Sequence, residues 1–384
     1  MYRIGFVIDF RKTNWLGGYN YFKNFLYLIK LNQENQIEPV IFTDSKANLL
    51  QDSFFSNIEI IENKRLFSKN SYIRILNKII IIIFGKNLFL DNFFKRHNIV
   101  AISHSTFLGK KSSIKSFPWF PDFQEIYFPN NFSLKNILLR RLNIFLSEIH
   151  STKIIVSSKS VQLDLLKINE KAYKKSNIIK HNFNIVNFNK IKSIDYLNKK
   201  FKIKKKFFFL PNHYWVHKNH IVVLKAIKLI KNITNIQIVT TGLQDDHRHP
   251  DHMRKILRFI NENNIKDNYI MLGIVNSSDL MSLMYHSVAI INPSKSEGWG
   301  NSVDQAKIME KRIILSDIPV HKEQKSKNLF YFNSDNYKRL SSIFLDLNNK
   351  IDNKTNYIKY NLNQNHIKNS SYIKKYQDFI ISNL

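Results

Sequence analysis

The sequence has 384 residues, 43% of them hydrophobic, so it is long enough for two domains of ordinary size and too apolar for general disorder. It contains no cysteine, which excludes disulfides and thiolate metal sites and fits a reducing, cytoplasmic compartment. The formal net charge of +30 predicts an anionic partner: nucleic acid, a membrane surface or an anionic substrate. Because no RNA- or DNA-binding signature accompanies the charge, we rank a membrane surface first and expect no nucleic acid.

The amino-terminal half begins with alternating strand and helix patterns. A strand is predicted at residues 4–8, and nothing before it has the features of a signal peptide. A loop with Gly17 and Gly18 follows, and then a helix at 19–30. A strand, a glycine loop and a helix form a corner that suits a phosphate or a sugar, although a simple turn explains two glycines equally well. A second strand is predicted at 39–43.

Residues 64–97 interleave cations with aromatic and aliphatic side chains. The longest apolar run, residues 79–84, is far shorter than the ~20 residues that a membrane-spanning helix needs. A basic, aromatic-rich stretch without a span is typical of an interfacial anchor, so we predict contact with an anionic membrane surface through about residues 64–97. A core strand or helix with solvated lysines at its ends would give the same pattern.

The next predicted strand, at 99–103, ends at His104, which either faces a ligand or has a structural role. Asp122 and Gln124 are the polar groups of a loop at 119–129. Further elements are a helix at 136–149, a strand at 153–158 and a helix at 160–166. The Asn- and Lys-rich segment 182–206 has no clear periodicity, and we interpret it as a linker between two domains.

The second half opens with a buried strand at 207–210. Lys218 lies just before a helix at 221–230, and a point cation beside the free amides of a helix start suits a diphosphate. His213, His217 and His220 have a spacing of four and three, which leaves a metal site as an alternative, although no carboxylate accompanies them. Predicted strands at 236–239 and 269–272 lead to Gly242 and Gly273, and helices are predicted at 253–263 and 279–286.

The strongest signal lies in the stretch from Asn292 to Lys307. A buried strand at 288–291 precedes it, and a helix at 303–309 and a strand at 312–315 follow. The loop therefore lies at the carboxyl end of a strand, where open α/β sheets bind ligands. Gly298 and Gly300 let the backbone approach a ligand closely. The helix amides near Asn301 to Val303 suit a phosphate, and Glu297 can accept two sugar hydroxyls.

This stretch resembles the donor-site motif of retaining glycosyltransferases of family four, which have the two-domain GT-B fold. In that family one Glu contacts the transferred sugar, and a second Glu, eight positions on, holds the nucleotide ribose. Glu297 occupies the first position, and Gln305 occupies the second and keeps an acceptor oxygen without the charge. Alternatively, Ser302 and Gln305 form a capping box that satisfies the first amides of the helix.

The resemblance implies roles for other positions. Lys218 matches the family's phosphate-binding lysine, and His213 stands where many members have an arginine. In the family the loop after the strand that corresponds to 269–272 packs on the nucleotide base, which assigns that contact to Ile274 and Val275. The Gly17–Gly18 loop faces the donor across the cleft. Asp122 and Gln124 match a run near the acceptor, with a proline in place of the histidine that many relatives have just before it.

We therefore predict an α/β protein of two doubly wound Rossmann-like domains facing a cleft, in the GT-B arrangement. Residues 1–190 form the acceptor-side domain, 200–360 the nucleotide-sugar domain, and a helix at about 365–384 packs back on the first. The resemblance implies retaining, metal-independent transfer of a sugar, without a cofactor, from a nucleoside diphosphate sugar to a glycan hydroxyl. By analogy with bacterial surface polysaccharide assembly, the acceptor is lipid-linked and the protein peripheral on the inner membrane face.

The predicted catalytic residues are Glu297, Lys218 and Asp122. The predicted substrate-binding residues are Gly17, Gly18, His104, Gln124, His213, Asn219, Gly242, Gly273, Ile274, Gly298, Trp299, Gly300, Asn301, Ser302, Val303 and Gln305. Two other classes of protein stay open: a non-catalytic partner subunit or sugar-nucleotide-binding protein of the same fold, and a GT-B-fold enzyme that epimerises or hydrolyses a nucleotide sugar.

Overall fold

The computed structural model describes residues 1–9, 16–32, 34–50, 53–68, 72–180, 186–233, 235–349 and 362–384. The chain forms two compact units. The first comprises Met1–Pro129, Ser133–Asn184 and Leu362–Leu384, and the second comprises Asn130–Phe132 and Ile185–Asn361. Each unit is built on parallel sheet, as the alternation of strand and helix patterns predicts.

The first unit contains a five-stranded and a three-stranded parallel sheet. The larger sheet has the order β3-β2-β1-β4-β5 and consists of β1 (Tyr2–Val7), β2 (Ile37–Thr43), β3 (Glu59–Glu62), β4 (Ala101–Ser103) and β5 (Lys115–Phe117). The smaller has the order β6-β7-β8 and consists of β6 (Trp119–Phe120), β7 (Ile154–Val156) and β8 (Ser176–Ile178). The central strands are almost wholly buried, which explains their continuous apolar runs.

Eight helices flank these sheets within the described residues. They are α1 (Leu16–Leu31), α2 (Ala47–Leu50), α3 (Lys64–Phe67), α4 (Tyr72–Phe84), α5 (Leu88–Arg96), α6 (Leu134–His150), α7 (Lys159–Ile168) and α8 (Glu170–Lys175). The predicted glycine loop is wrong at Gly17 and Gly18, because both lie in the first turn of α1. The described part of the basic stretch 64–97 forms α3, α4 and α5 rather than a core strand.

The second unit has a six-stranded parallel sheet. Its strands are β9 (Lys206–Leu210), β10 (Ile236–Thr240), β11 (Tyr269–Met271), β12 (Ile290–Asn292), β13 (Ile313–Ser316) and β14 (Leu329–Phe332). They lie in the order β11-β10-β9-β12-β13-β14. The chain thus builds the sheet outward from β9 in one direction and then outward from β12 in the other. This is the doubly wound order, and its switch point lies between β9 and β12.

Helices cover both faces of this sheet over two apolar layers. They are α9 (Ile194–Phe201), α10 (His220–Ile230), α11 (Asp251–Glu262), α12 (Ser277–His286), α13 (Asn301–Ile308), α14 (Pro319–Lys322) and α15 (Tyr337–Asn349). The linker predicted at 182–206 is wrong over α9. That helix is capped by Ser193, buries Leu197 in the core, and pairs Lys200 with Asp279 at 2.7 Å.

The last helix, α16 (Leu362–Ile381), returns to the first unit and packs on α1. The buried Tyr376 ring lies edge-to-face on Phe25, with ring centroids 4.7 Å apart. Gln377 Nε2 donates a hydrogen bond to Asn35 Oδ1 at 2.6 Å. The carboxyl-terminal residues are therefore part of the first unit's core.

The role of α9 is testable by truncating its buried leucine. Leu197→Ala should lower the free energy of unfolding of the second unit by about 2–5 kcal/mol, because it leaves a cavity in a packed core. Leu229→Ala, at an exposed position of α10, is the matched control and should change that energy by less than about 0.5 kcal/mol. Urea unfolding followed by circular dichroism measures both, and equal effects would contradict the placement of α9.

Candidate active site

Two loops meet at the carboxyl edge of the second unit's sheet, on either side of its switch point. The loop after β9 carries Lys218 at the end of a short 3₁₀ helix, Val216–Lys218. The loop after β12 carries Glu297 and leads into α13. Ligands of doubly wound sheets bind in the crevice that such loops form. The two residues with the strongest predicted roles are therefore brought together by the topology itself.

Lys218 and Glu297 form an ion pair, with Nζ and Oε1 2.6 Å apart. Their side chains are only 14% and 10% exposed. Removing either charge from water alone is costly, and a short, well-directed pair offsets that cost. The ion pair thus connects the two loops, and both of its charges are available to a ligand.

Further hydrogen bonds aim the Glu297 carboxylate. Ser294 Oγ lies 2.7 Å from both Glu297 Oε1 and Asn292 Oδ1, and it donates its one proton to either acceptor. Asn212 Nδ2 donates to the same Asn292 oxygen at 3.2 Å, which ties the β9 loop to the β12 loop. Within the residues that the structure describes, Glu297 Oε2 has no hydrogen-bond partner. One carboxylate oxygen is thus fixed by protein, and the other is available to hydroxyl groups.

The pKa of Glu297 falls from 4.5 to about 2. Burial alone would raise that pKa, but the charge and hydrogen bond of Lys218 outweigh burial, with smaller contributions from His321 and Ser294. The carboxylate is therefore ionised at neutral pH. It can accept hydrogen bonds, and it is a poor proton donor.

The three histidines near Lys218 are neutral, and His213 and His220 have different hydrogen-bond partners. His213 Nδ1 accepts from the Leu243 amide at 2.8 Å; His220 Nε2 donates to the His213 carbonyl, and its Nδ1 accepts from Tyr269 Oη. Burial lowers the pKa of His213 to about 4, and those of His217 and His220 to about 3. Their side chains do not converge on one point, and the described residues contain no group of three His, Cys, Asp or Glu side chains placed to hold a metal ion.

Asn219 and Gly242 shape the site through the backbone. Asn219 has a left-handed φ of 57°, and its Nδ2 donates to the carbonyls of Pro293 and Ser334. A side chain at Gly242 would place Cβ 2.6 Å from the Asn212 carbonyl oxygen, so only glycine fits there. Both predicted binding residues thus hold the loops in register.

Gly273 and Ile274 follow β11 at the same edge of the sheet. Gly273 has a φ of +69°, and the space around its Cα is open except for the Gln244 side chain at 3.8 Å. The Ile274 side chain is 67% exposed. An exposed apolar side chain at the mouth of a ligand-binding edge suits a flat ring such as a nucleotide base.

The helix α13 begins at Asn301, with Gly300 at its cap in a positive-φ conformation and no side-chain cap. The capping box of Ser302 and Gln305 is therefore wrong, because both residues lie inside the helix. A helix start without a side-chain cap can bind an anion, although the Val303 amide already donates to the Gly300 carbonyl at 3.0 Å. Gln305 is half-buried and forms no side-chain hydrogen bond with the described part of the chain, so its amide remains available to a ligand.

Trp299 and Val303 have their side chains in the protein interior. Trp299 is buried, and its Nε1 donates to Asp304 while its carbonyl accepts from Gln324 Nε2 at 2.9 Å. Val303 is fully buried in the core under β12. The buried Trp299 side chain fixes the loop, which also contains Gly298 between Glu297 and Trp299. The sequence assigns Val303 to the site through its amide, and that amide donates to the Gly300 carbonyl at 3.0 Å.

Two buried residues behind the site escaped prediction. Asp246 accepts from the amides of Val216 and Arg248 at 3.0 and 3.1 Å, which fixes the turn that carries Lys218. His321 is fully buried, its Nδ1 lies 2.9 Å from the Ser316 carbonyl oxygen, and burial lowers its pKa to about 4. Asp246 lies in a polar segment without a motif, and only its Asx-type turn chemistry hints at such a role.

The predicted acceptor residues lie in the first unit. Gln124 Nε2 donates to Asp122 Oδ2 at 3.2 Å. Arg140 of α6 lies 3.7 Å from Asp122 Oδ1 and 2.9 Å from Glu125 Oε2, whose side chain is fully buried. Sequence reasoning missed Arg140 because it is far from any motif, and it missed the role of Glu125, although Glu125 directly follows Gln124 in the predicted loop. The Asp122 carboxylate thus lies in a small charged cluster formed by its own loop and by Arg140 of α6.

His104 belongs to the core of the first unit. It is 6% exposed and packs between the rings of Phe25 and Trp119. Its Nε2 is 2.8 Å from Tyr21 Oη, and its Nδ1 is 2.8 Å from Ser103 Oγ. His104 therefore has the structural role that the sequence leaves open as the alternative to a substrate contact.

The lowered pKa of Glu297 predicts how the free energy of unfolding changes with pH. Its stabilising contribution is complete above the unfolded-state pKa of 4.5 and is lost as pH falls toward about 2. At 1.36 kcal/mol per pKa unit the full loss approaches about 3 kcal/mol below pH 2, and about 2 kcal/mol of it is lost by pH 3. Denaturant unfolding of wild type and Glu297→Gln between pH 7 and pH 3 measures it. The wild-type curve should fall more steeply, and parallel curves would contradict the buried pair.

Comparison with known proteins agrees with this geometry. Residues 194–363 match the family model described as glycosyl transferases group 1. The O-antigen chain mannosyltransferase RfbU of Salmonella typhimurium is 26% identical over 155 residues. That match spans 40% of this chain and 41% of RfbU, so this chain aligns with about two-fifths of its relative's length.

Solved structures match nearly the whole chain. A glycosyltransferase from Rickettsia africae superposes with a TM-score of 0.64 at 16% identity, covering 99% of this chain and 97% of that one. Anabaena Alr3699/HepE, in complex with UDP and glucose, has a TM-score of 0.65 at 13% identity, covering 98% and 95%. The chain therefore has the GT-B fold, and its second unit contains a glycosyl transferases group 1 domain.

Proposed function

We propose that this protein is a retaining glycosyltransferase that moves a sugar from a nucleoside diphosphate sugar to a glycan hydroxyl. The observation that carries the proposal is the Lys218–Glu297 pair at the switch point of the domain that matches the family model. A cation beside an ionised carboxylate complements the two parts of a nucleoside diphosphate sugar. The diphosphate needs positive charge, and the sugar offers hydroxyl groups.

Lys218 and the start of α13 would stabilise the leaving diphosphate. The ammonium group has three protons, and Glu297 takes one of them, so the others can reach phosphate oxygens. Negative charge builds up on the diphosphate as the glycosidic bond breaks, and donors fixed in advance are most effective there. His213 adds no charge, because its pKa of about 4 keeps it neutral.

Glu297 would orient the sugar through its second carboxylate oxygen. Oε1 is held by Lys218 and Ser294, which leaves Oε2 for sugar hydroxyls. Retention of the anomeric configuration rests on the resemblance to family four, in which the acceptor is thought to attack from the face that the diphosphate leaves. We adopt that course, and no covalent sugar intermediate is part of the proposal.

Nucleotide recognition would use the loop after β11 and the helix α13. Ile274 offers an exposed apolar surface to the base, and the Gln305 amide faces the ribose hydroxyls. Uracil is the first base to test, because a structural neighbour is described as binding UDP and glucose. Mannose carried by guanosine diphosphate is the second, because the curated relative is described as a mannosyltransferase.

The acceptor would be a lipid-linked intermediate of O-antigen or another surface polysaccharide. This follows from the relative described as an O-antigen chain mannosyltransferase and from the net charge of +30. The Asp122–Gln124 loop would contact the acceptor. We also propose that the protein works in the cytoplasm, on the inner membrane face, with residues of about 64–97 on anionic lipid. No helix within the described residues is long and apolar enough to cross a membrane.

One observation favours a second candidate, a non-catalytic sugar-nucleotide-binding subunit. Gln305 replaces a carboxylate and His213 replaces a cation, so two charges of the resembled motif are absent. Such a protein would bind the donor through Lys218 without transferring the sugar.

Kinetics of sugar transfer to a glycan lipid acceptor separate the candidates. Glu297→Gln should lower kcat by about 10²–10³-fold, the range seen when one preorganised transition-state contact is removed. Lys218→Ala should lower kcat/KM at least as much. Lys295→Ala is the matched control, since its ammonium group lies on the same loop but pairs with Asp335. Transfer that survives Glu297→Gln refutes the assigned site, and donor binding without transfer in wild type supports the subunit candidate.

The ribose role of Gln305 is tested by restoring the carboxylate. Gln305→Glu should tighten binding of the preferred nucleoside diphosphate by about fivefold, because hydrogen bonds to a charged acceptor are stronger by about 1 kcal/mol. Isothermal titration calorimetry gives the affinity. The 2′,3′-dideoxy nucleotide is the control and should show no gain; an equal gain for both nucleotides would mean that Gln305 does not face the ribose.

A further inference from the structure

Two helices of the first unit present apolar faces to solvent. On α4 and the start of α5, large hydrophobic side chains are between 46% and 73% exposed. They are Tyr72, Ile75, Leu76, Ile79, Ile82, Ile83, Phe84, Leu88 and Phe89. Soluble proteins scatter such residues singly, and a contiguous set marks a surface that another phase or partner covers.

The second exposed face lies on α6, outside the basic stretch that the sequence singles out. Its exposed residues are Leu134, Leu138, Leu139, Leu142 and Phe145. The spacing of three and four places them on one side of the helix. The apolar side chains of α6 that are buried in the core, Ile144 and Leu146, lie near its carboxyl end. A helix normally turns its apolar stripe to the core, and α6 keeps much of its stripe outside.

The two helices are joined through one loop. Ile81 of α4, Leu146 of α6 and Phe107 form a single buried cluster. The same loop hydrogen-bonds to the carboxyl ends of both helices: the Lys111 amide donates to Gly85 O at 2.9 Å, and the Gly109 amide donates to His150 O at 3.2 Å. The two apolar faces therefore belong to one rigid part of the first unit.

The charge around these faces is predominantly positive. Between residues 63 and 150 the acidic residues are Asp91, Asp122, Glu125 and Glu148, the last of which is half-buried on α6. Asp91 and Glu125 are buried, and Asp122 lies beside Arg140. The basic residues of α4–α6 and their connections that the structure places at or near the surface are Lys78, Lys86, Lys95, Arg96, Lys110, Lys111, Lys135, Arg140 and Arg141.

We propose that the outward faces of α4 and α6 together form one docking surface for an anionic lipid bilayer. This inference rests on the proposed function and extends its membrane contact from residues 64–97 to α6. Apolar side chains would enter the interface between headgroups and acyl chains, and the surrounding cations would lie among anionic headgroups. A bilayer is favoured over a protein partner because, within the described part of α4–α6 and their connections, basic residues at or near the surface clearly outnumber the partly exposed acids Asp122 and Glu148.

The same helix connects the bilayer to the predicted acceptor loop. Arg140 lies on α6, and its Nη2 donates to the Asp122 carbonyl at 3.3 Å and pairs with the buried Glu125 at 2.9 Å. A bilayer bound to α6 would therefore lie beside the loop of Asp122 and Gln124. That placement brings a lipid-linked glycan to the loop without leaving the membrane surface.

Flotation of the full-length protein with vesicles tests the surface. Wild type should bind mixed phosphatidylglycerol and phosphatidylcholine vesicles more tightly than pure phosphatidylcholine vesicles. Leu138→Gln/Leu142→Gln on α6 and Ile75→Gln/Ile79→Gln on α4 should each weaken binding at least tenfold, since each removes two apolar insertions. The matched control, Leu229→Gln/Leu257→Gln, changes two exposed helical leucines of the second unit and should leave vesicle binding unchanged.

Three outcomes overturn the proposal: wild-type binding by the α6 variant, equal weakening by the control variant, or equal binding to both kinds of vesicle. If gel filtration shows that wild type is a dimer and the α6 variant a monomer, while the variant still binds vesicles, then the surface is an interface between two copies of the chain and the bilayer proposal is refuted. A thermal shift with nucleoside diphosphate is read on every variant. A normal shift with lost flotation supports the surface, and flotation without any nucleotide response in wild type refutes only the proposed function.

Discussion

The contact between Lys218 and Glu297 is the constraint on which the rest of the second unit depends. Two charges that are almost wholly buried tolerate that position only as a close pair, so both loops must be held in register. Asn219 fastens one loop to the other through the Pro293 carbonyl, and Asp246 fixes the turn before Lys218. The doubly wound order places both loops at one point of the sheet, and these polar contacts refine the geometry there.

The site concentrates its chemistry on few groups. The neighbouring histidines are neutral, and Gln305 has no charge, so the positive and negative ends of the site are essentially Lys218 and Glu297. A ligand with a diphosphate next to a polyhydroxylated ring complements both ends at once. In the first unit, Arg140 plays a comparable organising role, because it gathers Asp122 and the buried Glu125 on the helix that we propose lies on the bilayer.

Sequence reasoning was most reliable where a buried strand ended in a loop with chemical side chains. It predicted the α/β class and the strands around Glu297, because apolar runs and glycines report directly on parallel strands and their loops. It was wrong where burial decides the role: His104 and Trp299 are packed inside, and Asn219 serves the backbone. It missed Asp246 and His321, which lie outside any motif, and Arg140, whose acidic partners lie on the loop before its own helix. It also missed α9, whose single buried leucine gives little periodicity.

The most direct test of the donor site is a thermal-shift titration with nucleoside diphosphates and their sugars. A ligand bound only by the folded protein raises stability by about 2.7 kcal/mol at a hundredfold excess over its Kd. We expect stabilisation by one base, retained in Lys295→Ala and lost in Lys218→Ala. Stabilisation that persists in Lys218→Ala, or none with any nucleotide, would contradict a diphosphate-sugar site at the Lys218–Glu297 pair.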